Sequence, residues 1–329
     1  MSAAEKYQRL WLTGGGGFIG RHVLHRLLSA DSIAPTNQAV TSSPARPTVY
    51  CLVLHPDHLA AAPGKLSPPD GVVRVRGDLL DPADLAAIDR CAHDAQAVIH
   101  LVGIIAPHGR QTYQRVHVEG TRVVVEAMKR AGVRRLIHVS ALGAHPDSPA
   151  EYLRTKAAGE QIVRESGLDW TILRPSLVHG PDGDFLRLLA GFARGPLPMP
   201  LLGTGEARLQ PIWVEDVARA VVAALDRPAT IGRSIDLVGP TVLTWNQMYD
   251  TVADTLLNRS KAKAHIPVWL ATIAAGLFRL LPVPGPFNHD QVLMAQLDNI
   301  ADASDMERQL GFRPADFAAT LAGYKELLR

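Results

Sequence analysis

The sequence predicts an α/β chain, a doubly wound parallel sheet with a smaller C-terminal lobe interleaved into it. Three observations carry this expectation. Over the first 175 residues, short apolar runs alternate with amphipathic helical patterns, as in a parallel sheet covered by helices on both faces. A glycine cluster from Gly14 to Gly20 stands directly between the first such run and the first helix. After Arg174 the texture changes: proline and glycine gather through Gly180–Gly205, and the strand–helix rhythm resumes only at Pro211.

The expected strands are Arg9–Thr13, Thr48–Leu54, Val72–Arg76, Ala97–Leu101, Arg135–Ser140 and Thr171–Arg174, each short, apolar and largely β-branched. Thr121–Arg130, closed by Gly132, and Glu151–Ser166, closed by Gly167, carry helical spacing and stop at the residue best suited to a left-handed cap. The Pro-, Ser- and Thr-rich stretch Asp31–Pro47 stands where a short turn would suffice and reads as a surface insertion. Pro211–Leu225 reads as strand then helix and Ser234–Val238 as strand, so about 211–238 is expected to return to the sheet. The expected division is a core over 1–175 and a substrate or partner lobe over 176–329. In that lobe Val268–Leu281 reads as an apolar helix stopped by Pro282–Pro286. Its eleven uncharged residues from Val268 to Phe278 fall short of the roughly 20 needed to cross a bilayer. Trp269 and Phe278 are nine residues apart, hence on opposite helix faces. One is expected to pack inward and the other to be free for a partner or lipid.

Composition narrows the function classes. Hydrophobic residues at 47% and charged residues at 20% describe a globular chain. A net charge of +2 without a Lys/Arg run argues against nucleic acid as the main partner. Cys51 and Cys91 make neither a disulfide framework nor a metal pattern and fit a reducing compartment. Met1–Leu10 lacks the apolar run of a signal peptide, so a cytoplasmic location is expected. His22 and His25 stand i, i+3 on the first helix without a third ligand, so they read as a packed or surface pair and no metal is expected.

The glycine cluster carries the first chemistry. Leu10–Thr13 run into a loop in which Gly14, Gly17 and Gly20 are spaced GxxGxxG, with Phe18 and Ile19 between the last two. The first glycine makes the tight turn, the second clears the path of a pyrophosphate, and the third lets helix and strand pack closely; the helix N-terminus then faces the phosphate charge. The strand–loop–helix context is the one this motif demands, and it predicts a bound dinucleotide. Tyr152 and Lys156, four apart on an expected helix, share one face. A lysine beside a tyrosine is expected to favour the phenolate and lower the phenol's pKa toward the working range, so that it exchanges a proton with a carbinol while a cofactor moves hydride. Ser140, at the expected C-terminal end of the fifth strand, falls where a hydroxyl can orient a substrate carbonyl. Asp216 reads as a helix N-terminal cap, and His179 as a residue near the substrate mouth.

These motifs resemble the short-chain dehydrogenase/reductase superfamily in its extended or atypical branch. The resemblance runs through Thr13–Gly20, Gly77-Asp78-Leu79, Val98–Gly103, Val118–Thr121, His138–Ala141, Tyr152–Lys156 and Leu173-Arg174-Pro175. Within that branch, the stretches His117–Thr121, Ser140–Ala144, Tyr152–Lys156 and Gln210–Val217 are most similar to the dinucleotide-binding accessory subunit of respiratory complex I and its bacterial relatives. The resemblance implies a Rossmann-type core in which Asp78 and Leu79 meet the adenine and Leu101, Val102 and Gly103 line the path to the nicotinamide. Pro175 adjoins the cofactor, and Tyr152 and Lys156 hold the nicotinamide ribose. That last role can persist without turnover. The asparagine frequent before Val-x-Gly-Thr is here His117, a departure that bears on the proton relay. At the second strand's end, Tyr50–His58 offers no carboxylate for a ribose 2′-OH, and Leu54 stands where atypical members often carry arginine. With His55, His58 and Arg21 as sources of positive charge, this tilts the expectation to NADP(H) over NAD(H).

Two functions follow as expectations. One is an oxidoreductase acting on a carbonyl or alcohol, a hydrophobic quinone-like molecule being one candidate. The other is a non-catalytic accessory protein that holds a dinucleotide and docks on a membrane respiratory complex, peripheral on the inner face of the membrane.

Overall fold

The computed structural model describes residues 6–28, 46–54, 59, 66–67, 69, 71–278 and 288–328. Most of the Asp31–Pro47 insertion, His55, His58, the end of the apolar tail beyond Phe278 and the Phe278 side chain lie outside the described residues.

The first half alternates as the sequence predicts: β1 (Arg9–Thr13), α1 (Phe18–Leu28), β2 (Thr48–Val53), β3 (Val72–Arg76), α2 (Leu85–Asp94), β4 (Ala97–His100), α3 (Gly120–Ala131), β5 (Arg135–Val139), α4 (Glu151–Arg164) and β6 (Asp169–Pro175). The lobe adds β7 (Val178–His179), α5 (Asp184–Arg194), β8 (Met199–Leu202), β9 (Arg208–Leu209), β10 (Ile212–Trp213), α6 (Val214–Asp226) and β11 (Arg233–Leu237). It continues with β12 (Leu243–Thr244), α7 (Trp245–Leu257), β13 (Lys263–Ile266), α8 (Val268–Phe278), α9 (His289–Met294), α10 (Ala303–Leu310) and α11 (Phe317–Tyr324). Seven strands form one sheet in the order β11-β6-β5-β4-β1-β2-β3, with every neighbouring pair parallel. Chain order reverses beside β1, and the crevice at that switch point, over the C-terminal strand ends, is where open sheets of this kind bind ligands.

Side-chain alternation explains the two-sided burial. Leu10 and Leu12 enter a core shared with α1, α6 and α10, while Trp11 between them enters one shared with α2 and α3. Both faces are covered, so the central strands read as continuous apolar runs. β11 pairs with β6 in register Ile235↔Leu173, and Val217 and Val221 of α6 join the first core. A further core sits wholly in the lobe, around Leu189, Met199, Val252 and Phe317. Gly132 and Gly167 take left-handed φ of 71° and 73° after α3 and α4.

Two side chains behave differently from their sequence readings. Asp216 is not a helix cap: α6 starts at Val214 with no side-chain cap, and the carboxylate instead accepts the Ala315 N–H at 2.7 Å, tying the lead-in of α11 to α6. His22 is more than a packed histidine. It is buried between two carboxylates, Asp182 at 2.9 Å and Glu215 at 2.5 Å, and so joins α1 to the start of the lobe and to α6. Burial opposes its charge, but hydrogen bonds and attraction from both carboxylates outweigh that and hold its pKa up at about 9.

This raised value fixes the sign of a pH effect. The stabilisation is present in full below about pH 6.5, the ordinary histidine value, and is lost as pH rises through about 9. It amounts to about 3 kcal/mol. Thermal unfolding of the wild type and His22→Gln between pH 6 and 10 should show a stability gap that is widest at the acid end and closes toward the alkaline end. A gap constant with pH would contradict a charged His22.

Candidate active site

The turn from β1 into α1 is crowded around one atom, the carbonyl oxygen of Gly14. The Gly17 N–H donates to it at 3.0 Å, and a Cβ on Gly20 would lie 2.2 Å from it. Gly14 has φ +77°, and a Cβ there would press on the Leu101–Val102 backbone at 3.0 Å. Gly15, which the motif spacing passes over, is just as constrained: a Cβ would meet Cys51 Sγ at 2.2 Å. Gly17 differs, because its Cβ would meet only the Gly14 oxygen, at 3.2 Å. Gly14, Gly15 and Gly20 are therefore glycine for the fold, whereas the Gly17 backbone lines the cavity with little around its Cβ position, the kind of cradle a pyrophosphate needs.

From this loop runs a cavity of about 1640 Å³. Every described residue of the expected site lines it: Gly14, Gly17, Phe18, Ile19, Gly20, Asp78, Leu79, Leu101, Val102, Gly103, Ser140, Tyr152, Lys156 and Pro175. His179 lines it too. Val53 and Leu54 bound the cavity at the end of β2 without a charged group. Arg21 is not among the lining residues; its guanidinium donates to the carbonyls of Gly16 at 3.1 Å and Leu66 at 2.8 Å. Asp78 accepts the Leu80 N–H at 2.9 Å, which closes its own turn. The lining also carries a largely apolar set, Leu142, Leu186, Phe192, Leu201, Trp245 and Leu270.

At the inner end, Lys156 Nζ donates to the Val139 carbonyl at 2.8 Å, and burial lowers its pKa to about 8. Burial also pushes the Tyr152 phenol up to about 12, the reverse of the expected depression. Desolvation of the phenolate dominates, and the ammonium is turned toward the strand carbonyl. Ser140 Oγ is buried beside Glu160 and helps to keep that carboxylate charged. Glu160, fully buried on α4, is clamped by Arg174 of β6 at 2.7 and 2.5 Å and by Arg164 at 2.7 Å. Burial works against its charge, yet the guanidiniums hold its carboxyl below the usual range.

His117 is tied at both nitrogens. Its Nε2 accepts the Ile104 N–H at 3.1 Å, so the proton sits on Nδ1, which donates to Thr155 Oγ1 at 2.9 Å. Burial and the nearby Lys156 lower its pKa to about 3, leaving it neutral. It therefore orients the loop after β4 and relays no proton in this arrangement. It lies on a π-helical turn, Gln114–Glu119, and its ring stacks on Tyr113 and meets Tyr152 edge-on.

Sequence reading missed three partners here. His100 bridges Thr13 Oγ1 at 2.7 Å and Thr121 Oγ1 at 3.1 Å, linking the end of β1 to α3. His138 stacks on His100 with ring centroids 5.2 Å apart. Tyr113 donates to the Ile105 carbonyl at 2.9 Å. The signal for the histidines was present: a histidine inside an apolar strand run needs a buried partner or carries a cost. His179 bonds Tyr324 through Nδ1 at 2.8 Å, and burial lowers its pKa to about 3.

A doubly wound sheet with a glycine loop at its first turn and a Tyr/Lys pair lining the same cavity is the arrangement of NAD(P)-binding, epimerase/dehydratase-like proteins. Residues 10–239 match the NAD dependent epimerase/dehydratase family, and the chain belongs to that family. It is 30% identical over 253 residues to a mitochondrial protein of Arabidopsis thaliana, NADH dehydrogenase [ubiquinone] 1 alpha subcomplex subunit 9, covering 72% of this chain and 63% of that one. It is 34% identical over 218 residues to a ceramide reductase of Caulobacter vibrioides, covering 66% of this chain and 61% of that one. The match thus spans less than two thirds of either relative's length. Among solved structures, MoeE5 in complex with UDP-glucose and NAD superposes with a TM-score of 0.68 at 18% identity, covering 97% and 98% of the two chains.

The crowding around Gly14 separates the roles of the glycines experimentally. Gly17→Val should stay folded and lose dinucleotide affinity by about a hundredfold, roughly 2.7 kcal/mol, by calorimetry. Gly20→Val should unfold or strongly destabilise the chain. Wild-type affinity in folded Gly17→Val would contradict the assignment of this loop.

Proposed function

We propose that this protein is an NAD(P)(H)-dependent oxidoreductase that reduces a carbonyl on a hydrophobic molecule, or oxidises the corresponding alcohol. The observation that carries this reading is one cavity lined together by the glycine loop, by Tyr152 and Lys156 and by apolar side chains of the lobe such as Leu186, Phe192 and Leu201. Bound dinucleotide would lie along Gly17, Asp78 and Leu101–Gly103 and would supply hydride. Tyr152, with a pKa near 12, is protonated at neutral pH and suits the role of proton donor to a developing alkoxide. Lys156, with a pKa of about 8, carries its charge at neutral pH and attracts that alkoxide.

The lining also argues for substrate class. Among the described residues, Lys156 is the only lysine or arginine along the cavity, against Asp78, Asp147, Asp184 and Asp298. A nucleotide-sugar diphosphate, as in the MoeE5 complex, would find no guanidinium there to pair with. An apolar chain would find walls that match it, which favours a lipid-like carbonyl of the sort implied by the name of the Caulobacter relative. NADP(H) is the preferred cofactor on this reading, because Leu54 at the end of β2 offers no carboxylate to a ribose 2′-OH. The family's own description names NAD, so fluorescence titration with NADPH and NADH belongs to the same experiment.

A second reading has its own support. Both nitrogens of His117 are engaged by Ile104 and Thr155 and not by Tyr152, and several relatives are named as subunits of NADH dehydrogenase [ubiquinone] or NADH-ubiquinone oxidoreductase. On this reading the dinucleotide is held for structure, and the protein docks peripherally on a membrane respiratory complex. No helix among the described residues is long and apolar enough to cross a membrane. The docking element would be α8, where Ala271 and Ala275 pack inward while Trp269 is 65% and Ile273 54% exposed.

Two experiments separate the readings. With reduced dinucleotide and a long-chain methyl ketone in detergent, Tyr152→Phe should abolish turnover and spare most of the dinucleotide affinity, whereas Lys156→Met should reduce both. Unchanged turnover in both variants would sink the assignment of Tyr152. Trp269→Glu should leave folding intact and, if the docking reading holds, release the protein from membrane fractions. Unaltered fractionation would remove α8 from that role.

A further inference from the structure

The helix that carries Tyr152 and Lys156 has an unusual beginning. An α-helix leaves its first N–H groups without intrahelical partners, and a Ser, Thr, Asp or Asn just before it ordinarily takes one of them. The residue before α4 is Ala150, with extended φ −85° and ψ 126° and no side-chain acceptor to offer. The orphan donors are satisfied from the far end of the chain. Asp290 on α9 accepts the Glu151 N–H at 3.2 Å through Oδ1 and the Tyr152 N–H at 2.9 Å through Oδ2, across a sequence separation of 138 residues in the second case. The carboxylate is 9% exposed, so it is committed to this contact.

The residues around Asp290 reinforce it. Asn288 starts α9 with a capping box, accepting the Gln291 N–H while the Gln291 side chain accepts the Asn288 N–H. The amide nitrogen of Asn288 is left free to reach the other side of the cavity, where it donates to the Ile105 carbonyl at 3.0 Å and to the Tyr113 hydroxyl at 3.3 Å. The Tyr113 ring meets the Tyr152 ring edge-on at 5.8 Å. Behind these polar bonds, Leu293, Met294 and Leu297 pack on Ala141, Ala150 and Leu153. Residues 288–297 therefore grip Tyr152 twice, once through its backbone and once through the ring beside it.

We propose that Asp290 is a positioning residue that caps the catalytic helix from the C-terminal lobe and so sets the place of Tyr152 in the cavity, with Asn288 fixing Tyr113 on the opposite side. The inference rests on the reading of Tyr152 as the proton-carrying group. It extends that reading by making the site depend on a segment that the glycine loop and the Tyr/Lys motif do not include. The carboxylate touches neither cofactor nor substrate; it acts through the geometry of α4 and through its negative charge at the positive end of that helix.

The test uses the full chain and three variants, Asp290→Ala, Asp290→Asn and Asn288→Ala. Amide hydrogen exchange at Glu151 and Tyr152 reads the cap directly and needs no activity. It should quicken at least tenfold in Asp290→Ala and less in Asp290→Asn, which keeps one acceptor oxygen. Turnover of a long-chain methyl ketone with NADPH reads the positioning: kcat should fall at least tenfold in Asp290→Ala with KM within about twofold, and Asp290→Asn should recover part of it. Should Asp290→Ala fail to fold, Asp290→Asn and Asn288→Ala carry both readouts, each expected to fall between wild type and the full loss. Unchanged exchange at the two amides would overturn the cap. Faster exchange with unchanged kcat would overturn the positioning role, as would a kcat loss that merely follows thermal stability. A wild type without turnover would overturn the reading of Tyr152, while amide exchange would still decide the cap.

Discussion

The structure depends first on the space around the Gly14 carbonyl. The chain must leave β1, turn and enter α1 within four residues, and it does so by packing Gly17 and Gly20 against that one oxygen. The close turn brings the N-terminus of α1 over the sheet at the switch point, where β4 and β2 flank β1 on opposite sides. The open backbone at Gly17 and the positive helix end then face the same crevice. Gly15 adds a second constraint, because the thiol of Cys51 on β2 fills the space where its side chain would be. Burial pushes that thiol up to about 12, so Cys51 is a packing atom and not a reagent.

Once the loop is placed, ionic contacts fix the remaining parts relative to it. His22 holds the start of the lobe to α1 through Asp182. Glu160 holds α4 to β6 through Arg174. Each buried centre keeps a second partner, Glu215 for His22 and Arg164 for Glu160, and removing His22 or Glu160 itself would strand the charges gathered around it, which costs more than an exposed pair contributes. Between them runs the neutral chain Thr13–His100–Thr121, which ties the end of β1 to α3. The helix α4 that carries Tyr152 is thus held at its start by Asp290, at Lys156 by the Val139 carbonyl and one turn further on by Glu160. A rigid frame of this kind suits a group that must meet a carbonyl at a set distance.

Much of the fold was legible in the sequence because its signals are local. Buried parallel strands are short β-branched runs, and β1 and β3 stand where their patterns place them. The β6 strand extends beyond the Thr171–Arg174 pattern to Asp169 and Pro175, since Asp169 lies at a strand end where Arg134 pairs with it and its carboxylate meets solvent. The glycine loop and the Tyr152/Lys156 spacing were equally readable, because each motif is contained within eight residues. What escaped were long-range relations. Nothing near Asp216 in sequence reveals that its partner is the Ala315 amide, and nothing near Tyr152 reveals Asp290. The acidity of Tyr152 was misjudged for a related reason: helical spacing places Lys156 nearby but says nothing of how deeply the phenol is buried or that the ammonium turns to Val139.

On the reading we propose, one cavity receives the dinucleotide at Gly17 and delivers its reactive end to Tyr152. A crystal structure of the chain with NADPH tests this most directly. The expected result places the pyrophosphate over the Gly17 backbone and the nicotinamide ring beside Tyr152 and Lys156, with the apolar half of the cavity open beyond it. A pyrophosphate bound away from the loop, or a nicotinamide ring turned away from Tyr152, would contradict the account.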